Sequence, residues 1–335
     1  MRRLLSGLVF WWTAFPCIAL GKAPPDLKAP LPETVADPDR WLADRLVEEA
    51  ALGVWPQAMP RIHRNVDGKS DTAILFIHGF GACRAEGEHI VDQIADEWNA
   101  NVLYLRLPGH GIDADAHAAA LPEDYTRTVS EALNVTESLG DKVVVMGAST
   151  GGLLATWAAA SYPKRVDAAI LVSPLFDYSA GWVSVVAGNR LPYGLARLVM
   201  GRDRYAGWAE EADSPALPGY EDHWLIEQRL RAVVRLEGLR RGVVRQPGFP
   251  ASVTSPVLLL HYYADEARKD EVVSTDAILS TFDAMNGGRP HKHSRRVPIA
   301  DGDHVLTSVH IRADHETVLS SIRAFLTDVL GPPAQ

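Results

Sequence analysis

Val143-Val144-Val145-Met146 runs directly into Gly147-Ala148-Ser149-Thr150-Gly151-Gly152, and from there into a helical stretch at 152–161. Four consecutive β-favouring or apolar residues read as a strand buried on both faces, the kind that sits in the middle of a parallel sheet. The string G-x-S-x-G then has to turn that strand into a helix within a few residues. A Cβ at Gly147 or Gly151 would collide where the chain reverses, so glycine is needed at both places. The turn leaves Ser149 at its tip, at the carboxyl end of the strand. It also aims the amino terminus of the following helix, with its unpaired N–H groups, at the space in front of the hydroxyl. A serine placed this way is a candidate nucleophile.

Working outward, the same alternation continues. Apolar runs at 73–77, 102–105, 168–172 and 257–260 flank the central one, with amphipathic helical stretches at 86–98 and 125–139 between them. Short buried strands alternating with helices predict βαβ units, hence an α/β fold: a mostly parallel central sheet with helices on both faces. The pattern breaks between Pro174 and Pro256, a segment carrying Trp182, Trp208 and Trp224 and a basic helical stretch at 227–241. It is too long for a plain loop and predicts a partly helical cap. Before the core, Asp37 is the expected N-cap of a short helix bearing Trp41, Leu42, Leu46 and Val47, and Asp67-Gly68 is the expected turn of a hairpin joining 61–66 to 72–77.

A nucleophilic serine needs a base, and the base needs an acid to orient it. For a serine on a strand–turn–helix elbow the expected chain order is serine, acid, histidine. His304 follows the strand expected at 294–299 and occupies a loop, Asp301-Gly302-Asp303-His304-Val305-Leu306. His291 and His293 precede that strand, and His310 and His315 are expected on the final helix. Two aspartates compete for the acid in the loop after 257–260. Asp265 is nearer the strand end, whereas Asp270 precedes Val272-Val273, a pair able to pack its loop onto the core. Asp270 is favoured on that ground. Oxyanion donors are expected from the Phe80 N–H, at the bend His78-Gly79-Phe80-Gly81, and from the Thr150 N–H. His78 belongs to the bend and is read as structural.

Taken together, His78-Gly79-Phe80-Gly81, Arg106-Leu107-Pro108-Gly109-His110-Gly111, the 147–152 elbow, Asp270-Glu271-Val272-Val273 and Asp303-His304-Val305-Leu306 resemble the α/β-hydrolase superfamily, in particular its monoacylglycerol lipase and carboxylesterase-like branch. The resemblance covers roughly residues 60–330, in sequence order. It implies an ester-hydrolysing serine enzyme that needs no cofactor, with a cap inserted before the acid-bearing strand; no metal is expected either, since there is no HExxH and His291-Lys292-His293 alone offers too few ligands. The loop Arg106–Gly111 is structural in that branch. Thioesterase or lysophospholipase chemistry fits the same serine, acid and histidine, and a non-catalytic ligand-binding protein of the same fold is the different-class alternative. Trp182, Leu191, Tyr193, Leu195, Leu198 and Trp224 are candidate lining for an apolar acyl or alcohol group, or else the cap's own core.

The chain has 335 residues, 47% hydrophobic and 22% charged, with a net charge of −9 and two cysteines. That composition is globular, the acidic balance argues against a nucleic-acid partner, and two cysteines exclude a disulfide scaffold. The partner expected is a small-molecule ester. Arg2-Arg3, the apolar run 4–20 and the small-residue site at Ala19-Leu20-Gly21 predict a secretory signal over 1–21, and so an exported, periplasmic or secreted protein; an uncleaved inner-membrane anchor is the alternative. The expected organisation is then a Pro-rich tether and short helix at 22–59, a core at 60–174 and 255–332, and a cap at 175–254. The tether leaves peripheral membrane association open.

Overall fold

A computed structural model of the chain describes residues 27, 35–189, 205–206 and 215–333. The expected signal segment, most of the tether, and Leu191, Tyr193, Leu195 and Leu198 lie outside them. Ten strands are described: β1 (Arg61–His63), β2 (Ser70–Ile77), β3 (Asn101–Leu105), β4 (Gly140–Ala148), β5 (Ala168–Val172), β6 (Tyr205–Ala206), β7 (Glu227–Gln228), β8 (Val257–Asp265), β9 (Arg268–Lys269) and β10 (Arg295–Ile299). The helices that position the site are α1 (Pro38–Ala51), α2 (Glu88–Trp98), α3 (Ala114–Ala119), α4 (Pro122–Leu139), α5 (Thr150–Ser161), α6 (Gly181–Gly188), α7 (Leu230–Val244), α8 (Thr275–Asp283) and α9 (His315–Leu330).

The main sheet runs β1-β3-β2-β4-β5-β8-β10, with β9 paired to β8. All pairings are parallel except those of β1 with β3 and β9 with β8. Alternate residues feed opposite layers. Leu75, Ile77, Val143, Val145, Leu171 and Leu259 pack with α4, α5, α7 and α8. Ile74, Phe76, Val144, Met146, Ile170 and Leu258 pack with α2 and α9 on the other face. This period of two in strands covered on both sides is why the sequence shows continuous apolar runs there. The ribbon β6–β7, α6 and α7 all lie between β5 and β8.

Two local expectations meet different outcomes. Asp37 caps α1, its carboxylate accepting the Arg40 N–H at 2.9 Å. The hairpin at Asp67-Gly68 does not form as a paired unit. Gly68 turns the chain with φ 77°, but β1 pairs with β3, and β3 lies between β1 and β2. The reason is burial: β2 is buried along nearly its whole length and takes parallel partners on both sides, leaving half-buried β1 to close the sheet edge.

The helix α1 is tied to the core by charge as well as packing. Arg45 and the Trp41 indole N–H both reach Glu131 on α4, and Glu49, buried, forms an ion pair with Arg106. Arg106 Nη1 in turn donates to the carbonyls of Leu107 and His110 at 3.2 and 2.9 Å. The extension therefore braces the Arg106–Gly111 loop.

Candidate active site

The elbow between β4 and α5 has the strain its sequence implies. Ser149 sits at φ 51°, ψ −114°, a backbone state that costs a non-glycine residue about 1–3 kcal/mol and persists only when its surroundings hold it. They do. The Ser149 N–H donates to Val172 O at 2.8 Å, and its carbonyl accepts the Leu153 and Leu175 N–H groups at 3.0 and 3.1 Å. A Cβ on Gly147 would lie 2.2 Å from Gly151 O, and one on Gly151 would lie 1.9 Å from Ile77 O. Helix α5 is buried from Thr150 through Ala159, so the turn is locked from below by apolar packing. Thr150 is the first residue of that helix, where N–H groups have no intrahelical acceptor.

The bend after β2 is fixed through His78. Its Nε2 accepts the Leu107 N–H at 3.0 Å, so the ring proton must be on Nδ1, which donates to Gly79 O at 2.9 Å. Full burial pulls the imidazole down to about 4, which keeps it neutral in this tautomer. His78 is thus a brace for the Gly79–Phe80 peptide, whose N–H is the expected oxyanion donor. The Phe80 ring packs at a tilt against His117, with centroids 4.3 Å apart. The segment between β5 and β8 also reaches this bend. The Leu225 N–H donates to Gly81 O at 2.8 Å, and Gly81, at φ 76°, leaves room for Gln228 Nε2 where a Cβ would stand.

The acid and the histidine meet. His304 Nδ1 lies 2.7 Å from Asp270 Oδ2, and both side chains are buried. The other carboxylate oxygen, Oδ1, accepts the N–H groups of Val272 and Val273 at 2.9 Å each. Val273 is fully buried in the core. Burial pulls the His304 imidazole down, but Asp270, then Glu86 and Asp303, outweigh it and leave the ring above its ordinary value.

Asp265 is elsewhere. Strand β8 runs past its expected end to Asp265, then folds back through β9, with Tyr263 opposite Lys269. Asp265 sits at the exposed tip, ion-paired to Arg268, while the returning chain brings Asp270 back beside Tyr262, whose carbonyl accepts the Asp270 N–H at 3.3 Å. His310 lies on the loop before α9 rather than on the helix, its Nδ1 donating to Pro218 O at 3.1 Å. Of the candidate lining residues within the described chain, Trp182 is 67% exposed, whereas Trp224 is buried and stacked on Tyr220 with centroids 4.6 Å apart. A cavity of about 490 Å³ beside α3, walled by Ile112, Asp115, Trp224, Ile226 and Arg229, has none of Ser149, Asp270 or His304 in its lining. Among the described residues no group of three His, Cys, Asp or Glu side chains is placed to hold a metal ion.

Nothing in its sequence context singles out Glu86, which there only opens a helical stretch. It is buried, and its Oε2 accepts the Gly79 N–H. A Cβ on Gly79 would lie 2.8 Å from Glu86 Oε1 and 3.2 Å from Ser149 Cβ, so the carboxylate stands beside the elbow.

With the sheet order, the elbow and the Asp270–His304 pair in view, comparison with known proteins is unambiguous about family. The profile described as "Alpha/beta hydrolase family" matches residues 74–318, and the chain belongs to that family. A pimeloyl-[acyl-carrier protein] methyl ester esterase of Pectobacterium carotovorum is 27% identical over 129 residues, which cover 38% of this chain and 47% of that protein. Its counterpart in Vibrio campbellii is 32% identical over 111 residues, covering 32% of this chain and 40% of that protein. The chain thus matches less than half the length of these relatives. Among solved structures, one reported for the metagenome-derived lipolytic enzymes LipS and LipT superposes with a TM-score of 0.64 at 20% identity, covering 82% of this chain and 99% of that one. The Paleococcus ferrophilus monoacylglycerol lipase superposes at 0.58 with 12% identity, covering 80% and 98%. At these identities the likeness is one of fold.

Proposed function

We propose that the chain is a serine carboxylic-ester hydrolase working through an acyl-enzyme. The observation that carries this reading is the pairing of a strained, glycine-flanked Ser149 elbow with a buried His304–Asp270 hydrogen bond of 2.7 Å in one α/β-hydrolase core. Ser149 Oγ attacks the ester carbonyl as His304 Nε2 takes its proton, and the Phe80 and Thr150 N–H groups stabilise the oxyanion. Asp270 holds the Nδ1–H tautomer and stabilises the imidazolium. The alcohol leaves with the proton from His304, which next activates water to release the acid. The relatives named above, which act on a methyl ester, support ester chemistry over amide chemistry.

The substrate proposed is a small ester with an apolar acyl or alcohol part, sheltered by the cap formed from the segment between β5 and β8. Exposed Trp182 and Val185 on α6 are consistent with an apolar approach to that shelter. Export is proposed from the 1–21 segment alone, and mass-spectrometric identification of the mature amino terminus tests it: a start near Lys22 supports export, and an intact Met1 end contradicts cleavage.

Hydrolysis of p-nitrophenyl esters from acetate to palmitate, by the protein and by Ser149→Ala side by side, tests the activity. Turnover that collapses in the variant supports the proposal, and its chain-length dependence sizes the acyl site. Equal rates in both proteins would refute a role for Ser149.

A further inference from the structure

The proposed mechanism uses one carboxylate, Asp270, yet the site holds a second that it leaves idle. Glu86 is only 2% exposed, and its side chain spends one oxygen on the Gly79 N–H. Gly79 is the residue whose peptide with Phe80 must present an oxyanion donor. His78 grips that peptide at the Gly79 carbonyl, and Glu86 grips the same residue at its nitrogen. The space that Gly79 leaves without a Cβ is bordered by the Glu86 carboxylate and by Ser149 Cβ.

The turn carrying Glu86 is also stitched to the histidine loop. Thr307 Oγ1 donates to the Glu86 carbonyl at 2.7 Å, and Ser308 Oγ donates to the Ala85 carbonyl at 3.1 Å. Those residues follow His304 by three and four positions. Glu86 accordingly stands at the junction of the three loops that carry the oxyanion donor, the nucleophile and the base.

We propose that Glu86 is a positioning residue of this site: its carboxylate holds the Gly79 N–H, and so fixes the amino side of the residue that leads into the Phe80 N–H, and its charge acts on the imidazolium His304 becomes on taking the Ser149 proton. The inference rests on the ester-hydrolase reading for its catalytic meaning, but its physical content does not. The charged groups around His304 are Asp270 on the acid loop, Glu86 on the turn before α2, and Asp303 on its own loop. The charged group acting on Glu86 is His304, across the site. Burial pushes the Glu86 carboxyl up to about 7, against the Gly79 N–H and His304, which hold it down. Each charge thus favours the other: the imidazolium holds the carboxyl down, and the carboxylate holds the ring up. An anion beside an imidazole can only raise the pH at which the ring loses its proton.

The test is NMR titration of the full chain, following the His304 ring and the Gly79 amide, in the natural protein, Glu86→Gln and Glu86→Ala. Glu86→Gln keeps the size and an oxygen for the Gly79 N–H but removes the charge. The expected result is a His304 midpoint lowered by about one unit in Glu86→Gln. The Gly79 amide should titrate along with Glu86 in the natural protein and lose that pH dependence in the variant. In ester hydrolysis Glu86→Ala should lose roughly tenfold or more in kcat with little change in KM, and Glu86→Gln should recover most of it above the midpoint. A His304 midpoint unmoved in Glu86→Gln, or a Gly79 amide blind to pH in the natural protein, overturns the proposal, even if the variants melt at lower temperature. If the natural protein hydrolyses no ester, the functional reading fails, and the two NMR observations still decide the role of Glu86.

Discussion

Asp270 Oδ2 and His304 Nδ1 lie 2.7 Å apart in a buried contact, and the second Asp270 oxygen is held by two backbone N–H groups. The aspartate is thereby fixed at both oxygens, and the ring it holds cannot swing away without leaving a buried charge unpaired. Asp270→Asn should reduce kcat by about four orders of magnitude, because the amide favours the wrong tautomer of the ring. Asp265→Asn, at the exposed tip of the β8–β9 hairpin, should stay within about twofold of the natural protein, as expected of a surface ion pair. Steady-state hydrolysis of p-nitrophenyl butyrate by both variants checks the pair of expectations.

The pH dependence follows from the same contact. His304 acts as a base only when neutral, and its carboxylate neighbours raise it above the ordinary imidazole value of 6.5. The kcat/KM profile should therefore rise with pH through a midpoint above 6.5, losing activity on the acid side as the ring protonates. A midpoint well below that value would mean that burial outweighs the carboxylates.

Gly151→Ala tests the elbow. Its Cβ would be driven into the backbone carbonyl of Ile77, 1.9 Å away, where no flexible side chain can yield. The expected cost is at the upper end of overpacking, about 3 kcal/mol or more, read as a fall in the denaturant midpoint or as loss of soluble protein.

The amino-terminal helix should matter to the site at a distance. Glu49→Ala leaves Arg106 buried without its partner, which costs about 3–5 kcal/mol when a buried ion pair is broken. Arg106 holds the Leu107 and His110 carbonyls, and the Leu107 N–H holds His78, so the strain is transmitted to the Gly79–Phe80 peptide. Urea unfolding of Glu49→Ala, beside the double variant Glu49→Leu with Arg106→Met, separates the two effects. The double variant removes the stranded charge but also the two Arg106–carbonyl bonds, so it should recover only part of the stability.

These relationships also show what a sequence can and cannot reveal. The elbow was legible because its constraint is local: two glycines four residues apart around a serine, between an apolar strand and a helix, admit few other geometries. The alternation of strands and helices was legible for the same reason, since each strand is covered on both faces and carries its burial in its own residues. Pairing partners were not. Residues 61–66 looked like one arm of a hairpin, but which strand they join depends on where β2 finds its neighbours. The long acid loop was ambiguous because Asp265 and Asp270 differ by a fold-back whose register no single residue announces; the valine pair after Asp270 was the one available hint. Glu86 gave no signal at all, because a glutamate opening a helix is ordinarily solvated, and only the crossing of three loops buries this one.

The central claim is that Ser149 is an activated nucleophile. Intact-mass measurement after exposure to a fluorophosphonate tests it most directly, because one covalent adduct forms only on a serine whose hydroxyl is assisted by a base and faced by oxyanion donors. The account predicts stoichiometric single labelling of the natural protein and none of Ser149→Ala, with both proteins equally folded. An unlabelled natural protein, or a Ser149→Ala variant labelled as fully as its parent, would contradict it.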